Sequence, residues 1–170
     1  MRAKGMPILI LLMMTHGCGS KGTPAGSGAV AQAPPKVAAD MYKEKCGTCH
    51  FAYPPGLLPE RSWIKIVDTP GGHAGGDLPL DPPAKAQLKA YLVANSAERS
   101  AFKKSQKILA SIGDAVPTRI SEVPYIRKKH QDIREEVFAG KAVGSRGNCI
   151  ACHRGAEKGD FKGDDVVIPK

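Results

Sequence analysis

Cys149-Ile150-Ala151-Cys152-His153 and, much earlier in the chain, Cys46-Gly47-Thr48-Cys49-His50 are two copies of one pentapeptide, Cys-x-x-Cys-His. This is the attachment signature of c-type haem. Two sulfurs one helical turn apart can each add to one of the two vinyl groups of a haem. The histidine beside the second cysteine then binds the iron from one side. The pattern predicts two covalently bound c-type haems (iron), held by Cys46, Cys49, Cys149 and Cys152, with His50 and His153 as proximal ligands. A zinc site built from both Cys-x-x-Cys pairs and a redox dithiol are the competing readings. The wide separation of the pairs, the histidine trailing each and the exported character of the chain favour haem. The fifth cysteine, Cys18, leaves no pair for a structural disulfide.

The 170 residues suffice for one ordinary domain or two small ones. Aromatic residues make up only 5%, which suits a core whose aromatic bulk is a porphyrin. Two units of about 60–70 residues would be marginal alone, and a covalent haem gives each an apolar centre. The expected fold is mainly α: two small cytochrome c-like haem units, residues 40–98 and 99–170, with irregular Pro/Gly-rich loops wrapped around the haems.

Before them, residues 1–17 read as an export signal. Arg2 and Lys4 precede the apolar run Met6 to Met14, which is too short to span a bilayer. Thr15-His16-Gly17-Cys18 resembles a lipoprotein signal, in which Cys18 would be the lipidated residue and the membrane anchor. The alternative is a plainly cleaved signal. Residues 18–39, rich in Gly, Ser, Ala and Pro, read as a flexible linker with a root-mean-square reach of about 25 Å. The expected location is the periplasm.

Helices are expected at Val37 to Lys45, leading into the first motif, at Arg61 to Val67, from Pro82 onward with Leu88, Tyr91 and Leu92 on one face, and at about Ser100 to Ile112. Phe51 to Pro59 carries three prolines and a glycine and is read as an apolar loop against a haem edge. Ile126, His130, Ile133 and Val137 form a single stripe, predicting one helix from Pro124 to Ala139 stopped by Gly140. Asn148 is placed to cap the short helix of the second motif, and the apolar run Val166 to Ile168 to close over the second haem.

Each iron has a second axial position. Once the leader is removed, the histidines are His50, His73, His130 and His153, and the methionine is Met41. Met41 precedes Cys46 on the same helix and is poorly placed to reach the far face of that haem. The economical assignment pairs His50 with His73 and His153 with His130. A core histidine is the competing reading for His130, and an exposed loop histidine for His73. His73 lies among glycines, so its iron bond should be the easier to displace. Two histidines per iron suit single-electron transfer, and the lack of methionine ligation argues for low potentials.

At these residues the chain resembles the bacterial diheme cytochrome c family, over most of Tyr42 to Ile168. The resemblance is carried by Phe51-Ala52-Tyr53-Pro54-Pro55-Gly56 with Trp63, by Tyr91 to Asn95, by Pro124 to His130, and by Asn148 to His153 with Gly159-Asp160-Phe161. It implies a mainly helical fold and bis-histidine iron, with His50, His73, His130 and His153 at the matching positions. Ala74 stands where that family often has phenylalanine. It also implies partners that are other haem or redox proteins, such as a membrane b-type cytochrome.

Net charge is +9 and stays positive when Arg2 and Lys4 leave with the leader. Lys103, Lys104 and Lys107 form one basic cluster and Arg127, Lys128 and Lys129 another. They read either as a docking face for an acidic redox partner or as ordinary solvated helix surface. Nucleic-acid binding is disfavoured by export and by the absence of a matching motif. The function expected is that of an electron carrier and not an enzyme. The alternative is a haem enzyme or small-ligand-binding protein in which His73 leaves its iron; no acid–base pair near it supports that chemistry.

Overall fold

A computed structural model of the chain describes residues 35–69, 71 and 79–169. The leader, Cys18, most of the linker, and His73 with Ala74 lie outside the described residues.

Three helices pack around one aromatic centre. Helix α1, Pro35–Cys46, opens on a proline, which the first turn tolerates. Lys43 and Lys45 sit in its last turn, where positive charge complements the helix dipole. It buries Ala38 and Tyr42, one turn apart. Helix α2, Glu60–Asp68, buries Trp63 and Val67, and helix α3, Pro82–Ala94, buries Leu88 and Leu92, both at i, i+4 spacing. Asp81 caps α3, its carboxylate accepting from the Ala84 amide at 2.7 Å. The Tyr42 ring meets Trp63 edge-on at 6.3 Å and Tyr91 at 5.7 Å. Trp63 donates its indole N–H to the Pro55 carbonyl at 2.7 Å. That bond ties α2 to the proline-rich loop, which contains one 3-10 turn, Pro55–Leu57.

Helix α4 is Ser105–Ile112, shorter than the reading from Ser100. Serine side chains offer the backbone another partner there. Ser100 Oγ accepts from the Phe102 amide at 3.1 Å, and Ser105 Oγ, fully buried, donates to the Gly56 carbonyl at 2.8 Å. The loop passes so close that a Cβ on Gly56 would stand 2.8 Å from Ser100 Cβ. Ile108 and Ile112 are buried, with Ile120 and Val123 beyond them. They join Tyr42, Leu57, Leu58, Trp63, Val67, Leu88 and Leu92 in one continuous core cluster. Ala97 further donates its amide to Leu58 O at 2.9 Å, and Arg61 donates to the Ala115 carbonyl at 2.9 Å.

The segment 124–139 departs from the single helix expected. It divides into α5, Pro124–Lys129, and α6, Glu135–Ala139. Arg127, Lys128 and Lys129 crowd the end of α5. The His130 and Ile133 amides turn back three residues to Arg127 O and His130 O, and Arg134 is extended. The stripe nevertheless survives the break: Ile126, His130, Ile133 and Val137 all line one cavity.

The motif at Cys149–Ala151 is a single 3-10 turn. Asn148 stands before it without capping it, because its amide donates instead to Val143 O at 2.8 Å. Of the C-terminal apolar run only Val166 reaches the cavity. Val167 and Ile168 are exposed, although the Val167 amide bonds Cys152 O at 3.0 Å. His153 and Val166 form an isolated antiparallel bridge, and no sheet occurs among the described residues. No helix among them is long and apolar enough to cross a membrane.

Candidate functional site

The first motif hangs from the end of α1. Cys46 closes the helix and packs half-buried against the core. The chain then turns under itself, with the Gly47 amide bonding Lys43 O at 2.9 Å. A side chain at position 47 would collide with that same carbonyl, so this x position of the motif requires glycine. Cys49 is exposed and His50 half-buried. His50 Nδ1 lies 2.7 Å from Phe51 O. A carbonyl only accepts, so Nδ1 carries the proton and Nε2 is the nitrogen with a lone pair.

The second motif borders a cavity of about 350 Å³. Cys149, Cys152 and His153 line it, and so does His130 from the end of α5. The two imidazole centroids are 6.0 Å apart with their planes at 75°. Imidazoles bound trans to one metal ion, at a metal–nitrogen bond of about 2.0 Å, have centroids about 6 Å apart. His130 Nδ1 donates to Ile126 O at 2.8 Å, which leaves the Nε2 lone pair of His130 as the one that could bind a metal. Phe138 and Phe161 stand edge-on to His130 and His153 at 6.4 and 5.4 Å and hold the rings in place. Burial is the main cause lowering the His153 pKa, followed by the neighbouring His130 and Lys104. The ring is thereby kept neutral, as ligation requires.

The sulfurs of Cys46, Cys149 and Cys152 sit in an environment for uncharged sulfur. Burial pushes the Cys46 thiol up to about 11. Cys149 also rises to about 11, mainly by burial, with a smaller push from Cys152 and an opposing backbone hydrogen bond. Burial raises Cys152 as well. A thioether is neutral, whereas zinc requires thiolates. No group of three or more His, Cys, Asp or Glu placed to hold a metal ion occurs among the described residues. The residues therefore fit a flat apolar group lying between two imidazoles and joined to two neutral sulfurs.

The first half of the chain also reaches this second cavity. Tyr53 and Leu57, from the proline-rich loop after the first motif, line it together with Phe102 and Ile108. Tyr53 donates its hydroxyl to Gly147 O at 2.7 Å, two residues before Cys149. The sequence reading placed the loop at a haem edge, and nothing local in it points to the cavity of the other motif. His73 and Cys18 fall outside the described residues. Met41 packs against the core.

The dihaem cytochrome c family matches residues 42–161. The chain is similar in structure to a diheme cytochrome type c from Shewanella baltica OS155, with 33% identity, a TM-score of 0.63 and coverage of 81% of this chain and 95% of that one. It is also similar to a diheme cytochrome c from Rhodobacter sphaeroides, at 36% identity and TM-score 0.62, covering 72% of this chain and 95% of that one. A second Rhodobacter sphaeroides structure gives 38% identity, TM-score 0.58, and coverage of 72% and 96%. No match is found among curated proteins. The matched span, the helical fold and the paired imidazoles beside a Cys-x-x-Cys-His turn agree: the chain belongs to the dihaem cytochrome c family, with two covalently bound c-type haems and a haem-based role in electron transfer.

Proposed function

We propose that the protein is a periplasm-facing carrier that passes single electrons between redox partners, tethered to the membrane through a lipid on Cys18. In this reading Cys46 and Cys49 hold the first haem, with His50 and His73 on its iron. Cys149 and Cys152 hold the second, with His153 and His130. The observation that carries it is the 6.0 Å separation of the His130 and His153 rings across the cavity. That spacing would let His153 and His130 each offer a nitrogen to one iron held between them. When bound, the haems supply a one-electron iron couple. The chain orients the His50 and His130 rings through Nδ1 and lines the second cavity with the apolar side chains of Ile126, Val137 and Phe138. Optical and electron paramagnetic resonance spectra of the exported holoprotein test this, with and without carbon monoxide. Two low-spin ferric signals and no adduct at the second haem are expected. A high-spin signal or an adduct at that haem would overturn the assignment.

The partner side of the proposal rests on charge. The two basic clusters of the sequence meet in space. Lys104, Arg127, Lys129 and Arg146 all border the cavity. The Lys104 pKa is lowered first by burial and then by the charge of Lys129, with Asp160 opposing and Lys107 adding a smaller push. An acidic redox protein would be steered to this rim. Its electron exchange with the holoprotein should slow as ionic strength rises and the screening length falls from about 30 Å at 0.01 M to about 8 Å at 0.15 M. Stopped-flow measurements should show that Arg127→Glu with Lys128→Glu removes most of the low-salt rate and flattens its salt dependence. An unchanged salt profile would remove this rim from the docking face.

A further inference from the structure

Tyr53 touches both haem-binding turns. Its ring centroid lies 4.6 Å from that of His50, with the planes only 32° apart. Its hydroxyl donates at 2.7 Å to the carbonyl of Gly147. The same carbonyl accepts the amide of Cys149 at 3.0 Å and lies 3.6 Å from its sulfur. The ring also lines the cavity of the second motif.

Two contacts and a stiff backbone hold Tyr53 there. Phe51 stands edge-on at 4.5 Å. Tyr42, deep in the core, donates its hydroxyl to the Tyr53 carbonyl at 2.6 Å. Pro54 and Pro55 follow directly and stiffen the backbone. At the far end, Gly147 leaves room for the hydroxyl, since a Cβ there would stand 2.9 Å from it. One side chain thus spans from the axial ligand of one motif to the peptide that carries the first cysteine of the other. A phenylalanine would satisfy packing in this place. The hydroxyl and its oriented bond to Gly147 are what need a further reason.

We infer that Tyr53 is the bridge through which the two haems exchange an electron. The inference rests on the assignment of His50 and Cys149 to the two haems. The path runs from the His50 imidazole to the stacked Tyr53 ring, through the O–H···O=C bond to Gly147, and along two peptides to the Cys149 sulfur. The exchange oxidises one ferrous iron and reduces the other, ferric, iron. No proton moves and no bond is made or broken, because the phenol acts as a medium and stays reduced. Tyr53 is therefore a positioning and coupling residue and does not bind iron.

The test compares the wild-type holoprotein with Tyr53→Phe, Tyr53→Leu and Gly147→Ala, each checked by mass for two attached haems. Spectra of the wild type settle the ligand assignment first, so failure there is distinguishable from failure of the bridge. Exchange between haems is then followed after flash photoreduction, with both potentials and the low-spin g-values measured in parallel. Tyr53→Phe keeps the ring on His50 and loses the hydrogen bond, so exchange should slow while potentials and g-values hold. Gly147→Ala displaces the hydroxyl from the other side and should slow exchange to the same degree, with no further loss in the double variant. Tyr53→Leu should slow it further and also shift the g-values of the His50 haem, whose imidazole loses its stacking partner. Wild-type exchange rates in Tyr53→Phe and Gly147→Ala would overturn the bridge. So would a slowing fully accounted for by altered potentials.

Discussion

A chain carrying Cys149→Ser and Cys152→Ser is expected to carry one haem instead of two. Mass spectrometry and the alkaline pyridine absorbance per protein read the count directly. Serine hydroxyls do not form the thioethers, and the half-buried thiols they replace line the cavity together with His153. The larger effect is on the fold. The cavity of about 350 Å³ would lose its occupant. Its apolar lining, Ile126, Ile133 and Val137 among it, would then face water or collapse inward. Helices α5 and α6 are short, and among their residues only Phe138 is buried, so they should lose hydrogen-exchange protection. Helices α1 to α3 keep their Tyr42–Trp63–Tyr91 centre and should retain it. Two haems in the double variant, or one haem with full protection of 124–139, would contradict this.

His130→Ala should have a different signature. Both haems remain attached, because the cysteines are untouched. On the proposed assignment the second iron should lose its distal nitrogen and become high-spin. It should then take carbon monoxide, which the wild type is expected to refuse at this haem, while the spectrum of the first haem stays unchanged. Ile126 O loses its donor and Phe138 loses an edge contact. The accompanying stability loss should be modest, about 1 kcal/mol, since the bond lost is only part-buried. A variant that stays low-spin and refuses carbon monoxide would show that another side chain binds the iron.

Both expectations draw on features readable in the sequence. The pentapeptides mark two attachment points. The 3.6-residue spacing of Ile126, His130, Ile133 and Val137 marks which side chains share a face. That spacing did not reveal that the segment breaks after Lys129, because a helix and a kinked pair of helices bury the same stripe. Two local readings failed because side chains took other partners. Asn148 turns to Val143 O and leaves the motif uncapped, and Ser100 and Ser105 divert the start of α4. The least legible feature was the double contact of Tyr53. Its neighbours Pro54, Pro55 and Gly56 announce a loop, but the Gly147 carbonyl it reaches is 94 positions away, and no local pattern encodes such a pairing.

That long reach also orders events in time. A chain made from its N-terminus offers Cys46, Cys49 and His50 while the second cavity does not yet exist. Residues on both sides of that cavity, Leu57 and Val166 among them, come together only when nearly the whole chain is present. The entropic cost of closing so long a loop is small, about 0.6 kcal/mol for each doubling of length. The delay is in arrival, since contacts distant in sequence form late in folding. The two sites are alike in motif and unlike in maturation: one is on offer early, and the other is the last part of the protein to be completed.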